Sequence, residues 1–209
     1  MRDATIDFWF TIGSTYTYLT VMRIEGVEAA EGVKFVWRPY SCRVIMTEQN
    51  NIPFTGKPVK KAYMWRDIER RAALYGFPAR VPAPYSLTEF DVVNRIAILA
   101  EAEGWLRPYV KELYRRWFQF GEEPSLPPSL PSILEQIGQD PQRVLAASGS
   151  EATNLAYKEA TDEARRLNVF GSPTFVVNGE VFWGDDRLED AILWAKRATL
   201  AGGLGERTA

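Results

Sequence analysis

The sequence predicts an α/β fold: a short sheet built from the two ends of the chain, with a large all-helical insertion between them. Three observations lead there. A strand-helix-strand pattern fills the first 40 residues. A long central stretch has helical periodicity and no strand signal. Near the C-terminus, Asn178-Gly179 separates two runs of β-formers. That pair marks a hairpin, because a type I′ turn needs positive φ at both central residues.

The elements follow in order. Residues 5–10 are a short β-type run, broken by the small residues of Ile12-Gly13-Ser14-Thr15. Residues 16–31 read as a helix, with Leu19 and Met22 spaced for one face and Gly32 as the stop. Gly26 inside it costs ~1 kcal/mol against alanine. Residues 34–38 form a second strand, ended by Pro39; β-α-β usually means parallel strands and a right-handed crossover. Residues 41–57 are expected to be irregular, with turn signals at Asn50-Asn51-Ile52-Pro53 and Thr55-Gly56-Lys57-Pro58.

Residues 59–75 make a long helix, ended by Gly76 and Pro78, and 81–86 an extended loop. Thr88 is placed to cap the next helix, whose Val93, Ile96, Ala97 and Ala100 form an i, i+3, i+4, i+7 stripe. Pro108 suits a first helical position. Behind it Val110, Leu113, Tyr114, Trp117 and Phe118 form another stripe, for the core or a subunit interface, closed by Gly121. Short helices follow Ser129 and Asp140, and 151–168 is a longer one. Ser172-Pro173 precedes the hairpin strands Thr174–Val177 and Glu180–Trp183. A proline there marks an edge, a strand start or a cis peptide bond. Gly184-Asp185-Asp186 leads into a last helix over 186–200, its acids suiting the positive end of the dipole. Residues 201–209 are expected to be a frayed tail.

This order is that of a thioredoxin-like sheet with a helical insertion. The expected organisation is one domain over 1–209, with a core of 1–40 and 150–200, an insertion over 57–149 and the tail at 201–209. In such a fold the residue before a cis-proline faces the start of the first helix across a groove. Ser14 and Ser172-Pro173 would then meet.

Composition narrows the chemistry. A net charge of −2 gives no basic footprint for nucleic acid or an anionic membrane. No apolar run reaches the roughly 20 residues of a membrane span. The N-terminus enters a strand-like run directly, so no signal peptide is expected and the cytosol is the expected location. Cys42 is the single cysteine, so there is no internal disulfide and no C-x-x-C; it reads as a small buried hydrophobe. There is no histidine, which removes Ser-His-Asp and Cys-His triads and histidine-based zinc sites. No metal site is expected. A catalytic role would fall to Ser, Thr, Tyr, Lys, Asp or Glu, or to a reactive group brought by a cofactor.

Ile6-Asp7-Phe8-Trp9-Phe10 with Ser14-Thr15-Tyr16-Thr17-Tyr18-Leu19 resembles the opening of the 2-hydroxychromene-2-carboxylate isomerases. Lys60-Lys61-Ala62-Tyr63-Met64, Val169-Phe170-Gly171-Ser172-Pro173-Thr174-Phe175 and Phe182-Trp183-Gly184-Asp185-Asp186-Arg187-Leu188 are similar to that family too, in the same order. The resemblance implies a DsbA-like fold related to kappa-class glutathione transferases. It implies an isomerase that uses glutathione catalytically and yields trans-o-hydroxybenzylidenepyruvate from an aromatic catabolite, in a cytoplasmic homodimer. The implied catalytic residue is Ser14, donating to the glutathione sulfur. Asn51, Ser172, Pro173, Asp185 and Asp186 are the implied glutathione contacts, together with Lys60 or Lys61. Tyr85 and Trp183 are candidates to line an aromatic pocket. Two departures stand out: Thr15 replaces the usual proline, and Asp185 an expected serine, asparagine or glutamine.

Each residue also has a plainer role. Ser14 could be a helix cap, Pro173 a turn proline, Asn51 a turn residue, the lysines and Asp185-Asp186 solvated charges, and Tyr85 and Trp183 ordinary packing. Two functions compete with the isomerase: a kappa-like transferase that consumes glutathione, and a non-enzymatic thioredoxin-like binding module. A disulfide oxidoreductase is disfavoured by the missing dithiol.

Overall fold

The computed structural model describes residues 4–51, 53–54 and 56–205, with side chains as far as 197. Four strands form one mixed sheet in the order β2-β1-β3-β4. They are β1 (Ala4–Phe10), β2 (Val33–Pro39), β3 (Thr174–Val177) and β4 (Glu180–Trp183). β2 runs parallel to β1, with Phe8 opposite Trp37. β3 runs antiparallel to β1 on its other side, with Phe8 opposite Phe175, and β4 pairs antiparallel with β3. Asn178 and Gly179 turn the hairpin at φ 50° and 83°, as a type I′ turn requires.

β1 is internal, and it is buried on one face from Ile6 onward and on the other at Trp9. Ile6, Phe8 and Phe10 are fully buried on one face and Trp9 is buried on the other. The Phe8 ring lies 5.2 Å from those of Phe10 and Trp37 and 5.6 Å from Phe175. Burying a side chain of this size contributes about 2–3 kcal/mol, and this cluster seats the sheet. α1 (Thr17–Glu31) and α9 (Leu188–Gly205) share this larger core with the central helices. Trp9 and Val176 pack with Tyr40, Cys42, Ile45 and Ala164 in a second cluster.

The central helices are α2 (Cys42–Glu48), α3 (Pro58–Tyr75), α4 (Phe90–Glu103), α5 (Leu106–Arg115), α6 (Ser129–Gln136), α7 (Pro141–Ser148) and α8 (Glu151–Arg166). One π-helical turn, Arg116–Phe120, extends α5. Val93, Ile96, Ala97 and Ala100 are fully buried, and so are Val110, Leu113, Tyr114, Trp117 and Phe118. Both stripes face the common core.

Several local expectations are corrected. Residues 41–57 contain α2, whose seven residues are too few to show a helical period; Ser41 caps it by accepting from the Val44 N–H at 3.5 Å. Ile52 and Thr55 lie outside the described residues. Thr88 does not cap α4. The Thr88 and Glu89 N–H groups donate instead to Glu123 Oε1 (2.9 Å) and Ser125 Oγ (3.0 Å), from a distant loop. Pro108 is the third residue of α5, still in the first turn where no N–H is needed. Asp185–Arg187 form a 3₁₀ turn, so α9 starts at Leu188; it runs to Gly205, and 206–209 lie outside the described residues. No described helix is long and apolar enough to cross a membrane.

Gly26 is exposed on α1, and an added Cβ would have no atom within 4 Å. Gly26→Ala should therefore stabilise the fold by ~1 kcal/mol in urea unfolding; no gain, or a loss, would contradict the helix assignment there. Cys42 is 3% exposed and burial pushes its thiol up to about 11. An aromatic disulfide reagent at pH 8 should label the thiol only after denaturation, and labelling of the native protein at the rate of a free thiol would contradict this burial.

Candidate functional site

The loop between β1 and α1 meets the loop before β3. The Ser172–Pro173 peptide is cis. Ser14 Oγ donates to the Ser172 carbonyl at 2.6 Å. The Thr11 N–H donates to Ser172 Oγ at 2.9 Å, and Thr17 Oγ1 shares a hydrogen bond with that hydroxyl at 2.8 Å. Ser14 and Ser172 themselves are half-buried. Ser14 is not a helix cap: α1 starts at Thr17, and the cap position is Tyr16, whose side chain makes no capping bond. The plain role for Ser14 is thus replaced by a bond across the groove.

A second layer holds this loop in place. Asn94, fully buried on α4, accepts from the Ile12 N–H (2.8 Å) and donates to the Ile12 and Phe90 carbonyls, each at 2.8 Å. The Tyr114 hydroxyl is shared between the carbonyls of Thr11 (3.2 Å) and Ser14 (3.0 Å); burial raises its pKa and keeps it a neutral donor. Tyr40 and Thr174 donate to the Gly171 carbonyl at 2.6 and 2.7 Å. Thr11 Oγ1 donates to the Tyr40 carbonyl and accepts from the Cys42 N–H. Gly13 has φ 121°, and a Cβ there would lie 2.6 Å from the Phe90 ring. A Cβ on Gly171 would collide with the Trp183 indole.

The two acids of the last turn separate. Asp185 is 2% exposed. Its Oδ1 accepts from Thr20 Oγ1 (3.0 Å) and Arg23 Nε (3.2 Å), and its Oδ2 from Tyr75 Oη (3.0 Å) and Arg71 (3.2 Å). Arg23 also pairs with Glu189 and lies 4.4 Å over the Tyr75 ring. Burial, and then Asp185, hold the Tyr75 phenol above its usual range. Asp186 is exposed and pairs with Arg187 at 2.9 Å.

Tyr85 packs edge-on against Phe54 and Trp65, at 6.1 and 5.8 Å. Lys60 Nζ is 5.8 Å from the Phe54 ring centre and Lys61 Nζ 5.3 Å from that of Tyr85. Asn51 is exposed just after α2, its N–H donating to the Met46 carbonyl. Trp183 is 53% exposed and meets Phe170 edge-on at 5.0 Å. The structure therefore joins Ser14 with Ser172 and Pro173, and Lys60 and Lys61 with Tyr85. Tyr85 and Trp183 lie in separate aromatic clusters, and Asp185 and Asp186 point to different surroundings. Among the described residues no cluster of His, Cys, Asp and Glu could hold a metal ion.

Sequence reasoning missed Asn94, Thr11 and Thr17, and it gave Tyr114 only a packing role. Asn94 carried one signal: an amide directly beside the apolar stripe of α4.

Residues 5–191 match the DSBA-like thioredoxin domain family. The 2-hydroxychromene-2-carboxylate isomerase of Sphingobium xenophagum is 28% identical over 187 residues, 88% of this chain and 94% of that protein. Glutathione s-transferase kappa 2 of Caenorhabditis elegans is 24% identical over 204 residues, covering 88% of each. A solved 2-hydroxychromene-2-carboxylate isomerase superposes with a TM-score of 0.80 at 26% identity, covering 98% of this chain and 100% of that one. The fold, the paired loops and these matches agree: the chain belongs to the DSBA-like thioredoxin domain family, with similarity inside it to the 2-hydroxychromene-2-carboxylate isomerases.

Proposed function

We propose that the protein is a glutathione-dependent isomerase of 2-hydroxychromene-2-carboxylate or a similar aromatic catabolite, yielding trans-o-hydroxybenzylidenepyruvate. One observation carries this reading: the Ser14 hydroxyl is held across the groove at the Ser172 carbonyl, 2.6 Å away. Donor and acceptor stand side by side on half-buried residues. That pairing fits a cysteinyl peptide, which offers an N–H to a carbonyl and a sulfur to a hydroxyl. Glutathione, when bound, supplies the nucleophilic thiol that the protein lacks, since Cys42 is buried and its own thiol is held protonated.

The protein's residues then divide the work. Ser14 donates a hydrogen bond to the sulfur and favours the thiolate over the thiol, whose free pKa is ~8.5. To do so its hydroxyl turns from the Ser172 carbonyl, which becomes available to the cysteinyl N–H. Pro173 holds the loop in the shape that presents Ser172. Tyr114 and Asn94 fix the loop that carries Ser14, so the donor is placed before any ligand arrives.

Asp186, exposed in the 3₁₀ turn before α9, takes the γ-glutamyl ammonium. Asp185 has Thr20, Arg23, Tyr75 and Arg71 on its two oxygens, so its part is to hold that end of the groove in shape. Lys60 or Lys61, with Asn51, meets the glycyl carboxylate. Tyr85 and Trp183 offer aromatic surface to the substrate. The similarity to the isomerases supports a small aromatic substrate, and we take the protein to act as a cytoplasmic homodimer. The transferase remains the second reading, favoured by the kappa relative.

Calorimetry with glutathione should give binding heat, and a spectral assay on the chromene acid should give isomerisation with free glutathione recovered. A thioether adduct would favour the transferase; no heat at all would favour a binding module. Ser14→Ala should lower kcat on the order of 100-fold, the usual effect of removing one preorganised donor, while glutathione affinity changes little. Unchanged turnover would remove Ser14 from the mechanism.

A further inference from the structure

Arg43 differs from the other arginines around the groove. Arg23 and Arg71 are held by Asp185, Arg80 donates to the Phe120 carbonyl and Arg95 to the Ser148 carbonyl. The Arg43 guanidinium makes no ion pair or side-chain hydrogen bond with any described residue. Exposed on α2, it sits over a ring instead, with Cζ 3.6 Å from the centre of Phe90. Stacking of this kind uses the face of the guanidinium and leaves its in-plane N–H fork open.

The ring beneath it belongs to the site. Phe90 is 6% exposed and packs against Gly13, the residue before Ser14. Arg43 is thus one aromatic ring away from the loop that carries the proposed donor. Tyr85 is the neighbouring aromatic surface. The positive charge of Arg43 acts on its phenol, opposing the burial that raises its pKa. Lys61, which also has no carboxylate partner among the described residues, stands 5.3 Å over the Tyr85 ring. Two cations without a carboxylate partner among the described residues therefore act on Tyr85, and one of them stands on the ring that packs against the loop carrying Ser14. That combination suits a ligand with a flat conjugated ring and a carboxylate attached to it.

We propose that Arg43 is the specificity-determining residue that binds the substrate carboxylate with its guanidinium fork, while Phe90 backs the guanidinium and Tyr85 faces the aryl ring. This rests on the isomerase reading above, and it assigns to that substrate's carboxylate a residue that the earlier site residues did not include. Lys61 adds charge nearby, and the glycyl carboxylate of glutathione is left to the lysines of α3.

The test uses two probes of nearly the same shape, trans-benzylidenepyruvate and neutral benzylideneacetone. Each is titrated calorimetrically into the full-length wild type, Arg43→Gln and Arg43→Lys, with S-methylglutathione present so that no thiol reacts. Glutathione is titrated separately into each protein. The wild type should prefer the pyruvate. Arg43→Gln should cut that preference ~10- to 100-fold, the range for one charge-assisted contact, with Arg43→Lys between the two and glutathione affinity unchanged. An unchanged preference in Arg43→Gln would overturn the proposal. So would equal weakening of both probes, which would make Arg43 a packing residue, or a loss confined to glutathione, which would make it a cofactor contact. A wild type that binds glutathione but does not prefer the pyruvate would overturn it as well, leaving the glutathione reading intact. A wild type that prefers the pyruvate through Arg43 but binds no glutathione would uphold the carboxylate site and sink the isomerase reading.

Discussion

The loop between β1 and α1 enters the interior with no helix or strand to satisfy its backbone. Each buried N–H or carbonyl without a partner costs about 1–3 kcal/mol, so residues 11–14 need partners from elsewhere. Asn94 closes both polar groups of Ile12, Tyr114 spans Thr11 and Ser14, and Ser172 takes the Thr11 N–H. These partners come from α4, from α5 and from the loop before β3. The helical insertion therefore does more than cover the sheet. It supplies the side chains that fix the one irregular segment on which Ser14 sits.

Fixing that loop leaves one group with a choice. A serine hydroxyl has a single proton to donate. In this structure it goes to the Ser172 carbonyl, a neutral acceptor. A thiolate is a stronger acceptor than a carbonyl, and a charge-assisted hydrogen bond outweighs a neutral one roughly twofold. The same rotor can serve both without any movement of the backbone. Cys42 cannot compete for the role of nucleophile, because its burial favours the uncharged thiol and outweighs the hydrogen bond with Tyr40.

The periodic parts of the fold were legible. The strands, the stripes of α4 and α5 and the Asn178-Gly179 hairpin follow from local pattern alone, and the β-α-β order suggested the pairing of β1 with β2. α2 escaped because a helix of two turns leaves little periodicity, and Thr88 failed as a cap because Glu123 and Ser125, far along the chain, hold that backbone. In the site, the meeting of Ser14 with Ser172 was legible from fold order. The opposite fates of Asp185 and Asp186 were not: adjacent carboxylates look alike in sequence, and only the arrival of Arg23 and Arg71 from α1 and α3 separates them. Asn94 and Arg43 went unread for a similar reason. What each one does depends on a partner more than 40 residues away, Ile12 for the first and Phe90 for the second.

The central claim is that Ser14 makes a bound glutathione thiol acidic. The direct measurement is an ultraviolet absorbance titration of the glutathione thiolate on the wild-type protein and on Ser14→Ala. The account requires the wild-type complex to ionise clearly below the ~8.5 of a free thiol, and the variant to return toward that value. A bound thiol that ionises at or above the free value, or a depression that survives in the variant, would contradict it.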